Sequence, residues 1–107
     1  MTKPRTFTED NFQTETAAGV SLIDFYADWC PPCKALSPTV DQLAKKHGNS
    51  VTIGKVNVDD AKDLAQAFNV RSIPTIVALK DGKEVSRVSG NVPLNELETL
   101  ITQAEAS

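Results

Sequence analysis

Ser21-Leu22-Ile23-Asp24-Phe25-Tyr26-Ala27-Asp28-Trp29-Cys30-Pro31-Pro32-Cys33 is the stretch that decides how this chain reads. Residues 21–27 are apolar on both alternating faces, the pattern of a central strand covered by helices on either side, and Asp24 stands alone inside it. From Pro32 to about Lys46, Leu36, Val40, Leu43 and Ala44 recur at helical spacing, with Pro38 removing one internal hydrogen bond and Gly48-Asn49 ending the run. Cys30 therefore falls at a strand-to-helix junction as an N-cap, with Pro31 as the first helical residue. A sulfur there accepts a hydrogen bond from the Cys33 amide and feels the positive helix end, and both effects favour thiolate. Pro31 and Pro32 donate no amide hydrogen, which the first turn tolerates because its amides have no intrahelical partner.

Outward from this stretch the pattern continues. Thr8, followed by Glu9 and Asp10, reads as a helix cap leading through Phe12 towards Gly19. After the Cys-x-x-Cys helix, 51–58 is a second strand and 60–68 a charge-rich helix with Leu64, Ala65 and Phe68 inward. Residues 75–80 and 84–89 form two strands joined through Asp81-Gly82, a strong hairpin signal. A last helix starts near Pro93 and buries Leu94, Leu97, Ile101 and Ala104. The sum is an α/β chain: a central mixed sheet of four or five strands flanked by about four helices.

At 107 residues, 40% hydrophobic and 23% charged, the sequence fits one domain over 1–107. Its 11 Lys+Arg and 14 Asp+Glu give a net charge of −3, scattered with no basic run, which argues against nucleic acid. No window is long and apolar enough to span a bilayer, and no apolar stretch follows the charged start at 1–6, so the cytoplasm is the expected location; an export signal already removed is the alternative. In a reducing compartment a Cys-x-x-Cys pair is catalytic or metal-binding more often than structural.

Two Cys and one His are too few for structural zinc without carboxylates, and a bridge this short is a poor brace. The redox reading has Cys30 attack a substrate disulfide and Cys33 resolve the mixed disulfide. Lowering a thiol pKa from about 8.5 to about 7 raises its thiolate fraction roughly 16-fold at pH 7, but a Brønsted slope near 0.45 takes back roughly 5-fold. Leaving-group quality and the tethering of Cys33 thus outweigh activation of the nucleophile. Cys33, inside the first helical turn, is expected to be the more buried thiol and needs a proton acceptor. Asp24 in its apolar strand is the candidate, with burial raising its pKa; a strand-end Asp turned to solvent is the alternative. By strand parity Lys55 shares a face with Val51 and Ile53, which puts its ammonium near that carboxylate, although a solvated Lys satisfies parity equally.

Together these residues resemble the thioredoxin family over nearly the whole chain. The match runs through Asp24 to Lys34, Pro38, Lys55-Val56-Asn57-Val58-Asp59, Arg71-Ser72-Ile73-Pro74-Thr75, Lys80-Asp81-Gly82 and Gly90. The resemblance implies a thioredoxin fold and a protein-disulfide reductase cycling through Cys30 and Cys33, with Asp24 as buried proton carrier and Lys55 as its partner. It also implies a cis Pro74 facing the cysteines, an Ile73 backbone that pairs with extended substrate, and a docking surface around Trp29, Pro31, Pro32, Gly90 and Asn91. Taken alone, Ile73-Pro74 is a proline opening a strand, and Trp29 reads equally as a core aromatic. Electrons would come from NADPH through a flavin-containing thioredoxin reductase, with no cofactor or metal bound to this chain; a monomer that takes disulfide-containing proteins is expected. Three departures stand out. Pro31 replaces the usual Gly, which leaves a thiol oxidant or isomerase as the same-fold alternative to a reductase, beside a non-catalytic binding module. Tyr26 stands where many relatives have Trp, and Pro4 limits the first strand to a short edge or removes it.

Overall fold

The computed structural model describes residues 2–107; Met1, the first residue of the expected 1–107 domain, lies outside them. Nine elements follow in chain order: β1 (Arg5–Thr6), α1 (Phe12–Glu15), β2 (Val20–Tyr26), α2 (Pro31–His47), β3 (Thr52–Asn57), α3 (Lys62–Ala67), β4 (Thr75–Lys80), β5 (Lys83–Ser89) and α4 (Leu94–Glu105). The strands form one sheet in the order β1-β3-β2-β4-β5. Pairs β1–β3 and β2–β3 are parallel, while β2–β4 and β4–β5 are antiparallel.

β2 is the central strand, and six of its seven residues are buried, as its two-faced apolar pattern requires. One face carries Leu22, Ile53 and Ile76 under α2 and α4; the other carries Ile23, Phe25 and Val56 with Phe7 and Phe12. Asp24 belongs by parity to the Leu22 face, beneath α2. Across the sheet it stands opposite Lys55 in β3 and Ile76 in β4.

Most expected elements are present, with shifted ends. Thr8 does cap a turn: its Oγ1 accepts from the Asn11 amide at 3.2 Å, and Asn11 Oδ1 accepts from the Thr8 amide at 2.8 Å. The regular helix nevertheless begins at Phe12 and is only four residues long. α3 is shorter than the expected 60–68, and β1 survives beyond Pro4 as a two-residue edge strand. In α4, Pro93 is the N-cap, and Leu100 joins Leu97, Ile101 and Ala104 in the buried stripe, with Leu94 half-buried. The β4–β5 hairpin turns on Asp81 at φ +52° and Gly82 at φ +84°, the left-handed pair that a two-residue connection demands.

Candidate active site

β2 ends at Tyr26, and the chain runs through Ala27-Asp28-Trp29 into α2, so the cysteines sit at the carboxyl end of the central strand. Cys30 is extended (φ −96°, ψ 109°) and is the N-cap of α2, with Pro31 and Pro32 in the first turn. Pro31 is thus helical although Pro32 follows it, contrary to the usual restriction on a residue before proline. The Cys33 amide donates to Cys30 Sγ at 3.2 Å, the capping bond expected of that position. The two cysteines form a disulfide, with Cα atoms 5.2 Å apart. In this form Cys33 is not the more buried of the two. Cys30 is 3% exposed and Cys33 5%, and both lie in one buried cluster with Ala27, against which Tyr26, Val58 and Ile73 pack.

The Ile73 carbonyl lies 3.8 Å from Cys30 Sγ, a contact in the disulfide and an acceptor for a protonated thiol. The Ile73-Pro74 bond is cis and Pro74 is buried. This turn is pinned from two sides. Thr75 Oγ1 lies 2.5 Å from the Ser72 carbonyl and 3.0 Å from Ser89 Oγ, while the Gly90 amide donates to the Pro74 carbonyl at 2.9 Å. Gly90 has φ +97°, a conformation open chiefly to glycine. Asn91 beside it is exposed. Trp29 is 66% exposed, so it is not a core aromatic; its Nε1 donates to Asp59 Oδ2 at 2.8 Å. Pro31 and Pro32 are exposed as well.

Asp24 is 3% exposed, and its Oδ1 has no hydrogen-bond partner among the described residues. Desolvation pushes its pKa up from 3.8 to about 6, with the Lys55 charge partly opposing the rise. Lys55 is half-buried. Its Nζ donates to Ser37 Oγ at 3.2 Å and stands 4.7 Å from the Tyr26 ring centroid. Among the described residues Asp24 and Lys55 form no direct ion pair. A cleft of about 360 Å³ opens to solvent beside Cys33, Ser37 and Lys55. Ser37, Asp59, Thr75 and Ser89 are site neighbours that sequence reasoning missed. Only Ser37 carried a usable signal, since it follows Cys33 by one helical turn on α2.

Among the described residues no three His, Cys, Asp or Glu side chains gather as a metal site, and no helix is long and apolar enough to cross a membrane. A disulfide capping a helix at the end of a central strand, faced by a cis-proline turn, is the working centre of a dithiol–disulfide oxidoreductase. Comparison with known proteins narrows the class. The family model described as thioredoxin matches residues 3–103. A thioredoxin of Chlamydia caviae is 48% identical over 94 residues, covering 88% of this chain and 91% of the relative. One of Bacillus subtilis is 38% identical over 96 residues, covering 90% and 92%. Among solved structures, a mutant thioredoxin of Halobacterium salinarum superposes with a TM-score of 0.87 at 35% identity, covering 95% of this chain and 91% of that one. The chain belongs to the thioredoxin family and is a protein-disulfide reductase.

Proposed function

We propose that residues 1–107 work as a single domain in which Cys30 is the attacking thiol and Cys33 the resolving one. The Cys30 thiolate attacks one sulfur of a substrate disulfide, the other substrate sulfur leaves as thiolate, and a mixed disulfide forms. Cys33 then gives its proton to Asp24 and attacks Cys30 Sγ. The reduced substrate departs, and the Cys30–Cys33 disulfide remains on the protein. With a pKa of about 6, Asp24 is roughly ten parts ionised to one at pH 7, so it is able to accept that proton yet close enough to neutrality to return it. Lys55 moderates this balance by its charge.

Substrate docks over Trp29, Pro31, Pro32, Gly90 and Asn91, with the Ile73 backbone beside Pro74 pairing an extended segment. Supporting this are the exposure of Trp29 and the 3.8 Å approach of the Ile73 carbonyl to Cys30 Sγ. The disulfide is then reset by a flavin-containing thioredoxin reductase that draws on NADPH, in the cytoplasm, with the protein acting as a monomer that takes disulfide-bearing proteins and needs neither nucleic acid nor membrane. The observation that carries the reading is the N-cap bond from the Cys33 amide to Cys30 Sγ.

Trapping tests the division of labour. Cys33→Ser should accumulate a substrate disulfide on Cys30, seen as an adduct in intact mass, and Cys30→Ser should abolish turnover. Substantial reductase activity in Cys30→Ser would overturn the assignment.

A further inference from the structure

Lys55 borders two clefts, and a carboxylate lines each of them. One cleft, of about 490 Å³, lies between the N-terminal segment and α2 and offers Asp41 beside Lys3 and Lys45. The other, of about 360 Å³, reaches Cys33 and is lined also by Tyr26, Asp28, Lys34 and Ser37. Among the described residues Lys55 pairs with no carboxylate. Its ammonium lies instead 3.2 Å from Ser37 Oγ and 4.7 Å from the centre of the Tyr26 ring. An aromatic face and a hydroxyl oxygen both attract a cation without neutralising it.

We propose that Tyr26 and Ser37 are positioning residues that hold the Lys55 ammonium on the Cys33 side, facing Asp24, so that its full positive charge acts on that buried carboxyl through space. The catalytic consequence rests on the reading of Asp24 as proton acceptor; the cradle itself does not. Because no direct ion pair fixes Lys55 to Asp24, the interaction depends on where the ammonium is held. At an effective dielectric constant of about 20, moving a charge from about 6 to about 10 Å changes a carboxyl midpoint by roughly 0.8 pH unit. Other groups around the site are Asp28 on the β2–α2 loop and Cys33 and Lys34 on α2, while β4 presents Ile76 opposite Asp24. Burial first, and then Asp28, raises the Tyr26 phenol above its ordinary value, so the ring stays neutral through the working range.

The test is an NMR titration of the Asp24 carboxyl in the oxidised protein, where neither cysteine titrates. Tyr26→Leu and Ser37→Ala should each raise the Asp24 midpoint, by up to roughly 0.8 pH unit. Tyr26→Phe keeps the ring face and should restore the wild-type midpoint. In a Lys55→Met background, Tyr26→Leu and Ser37→Ala should add nothing, since the charge they position is gone. Equal shifts with and without Lys55 would overturn the proposal, as would no shift in either variant. Should Tyr26→Leu fail to fold, Ser37→Ala in both backgrounds separates the same outcomes. A midpoint that moves while the pH profile of turnover stays fixed supports the cradle and removes Asp24 from the resolving step.

Discussion

Asp24 is buried where a charge is costly, and the proton transfer proposed for it needs that charge. Its folded pKa of about 6 lies above the ordinary 3.8, so between these values the folded protein holds more protons than the unfolded chain. Stability contributed by this residue is therefore full below about pH 4 and is lost as pH rises through 6. At neutral pH the ionised carboxyl costs about 3 kcal/mol, an order of magnitude set by burial and eased by Lys55. Asp24→Asn should accordingly stabilise the protein by roughly 1–3 kcal/mol at pH 8, less than the full amount because the amide brings unpaired polar atoms of its own, and by little at pH 4. Urea midpoints of both proteins at the two pH values check this; a gain independent of pH would mean the charge is not its source. If Asp24 takes the Cys33 proton as proposed, the same variant should also slow the resolving step, read as slower decay of the mixed disulfide.

Among the elements, β3 carries a constraint that periodicity does not show. Gly54 lies beneath the Phe7 ring, and a Cβ built there would overlap the ring carbons. Phe7 in turn packs edge-on against Phe12, and Phe12 against Phe68, so this contact ties the two-residue β1 edge to α1 and α3. Gly54→Ala should cost about 1–3 kcal/mol by overpacking, and Phe7→Leu in the same chain should recover part of it. If the pair of substitutions simply added, the clash would not be the cause. Phe7 and Gly54 are far apart in sequence and neither belongs to a repeating pattern, which is why no window reading finds them. What was legible has a local cause: β2 from its two-sided apolar run, the Cys30 cap from the strand-to-helix junction, the hairpin from Asp81-Gly82. The cis Ile73-Pro74 bond was implied only by family resemblance, and the Ser37, Thr75 and Ser89 contacts were not foreseen at all. Each of these depends on a surface brought from another part of the chain.

For the whole molecule, redox state and folding are linked through one bond, and the balance of two terms sets the direction of electron flow. Closing a ring across a separation of three residues removes chain entropy worth about 2 kcal/mol from the unfolded state. By the thermodynamic cycle, folding favours the disulfide by the same amount and lowers the potential by about 40 mV relative to the unfolded chain. Against this, the helix end and the Cys33 amide, which donates to Cys30 Sγ at 3.2 Å, favour a thiolate at that position and with it the reduced form. At pH 7 a thiol pKa of about 7 contributes only about 0.4 kcal/mol compared with 8.5, and about 5.5 is needed before thiolate stabilisation matches ring closure. A thioredoxin-type reductase lies on the ring-closure side of that crossing. The oxidised protein should therefore unfold at higher urea than the reduced one at pH 7, by up to about 2 kcal/mol, with the gap narrowing as pH rises and thiolate becomes more populated in the reduced form. A reduced form more stable than the oxidised, together with a Cys30 thiol titrating below about 5.5, would mean that Pro31-Pro32 has turned this centre into an oxidant.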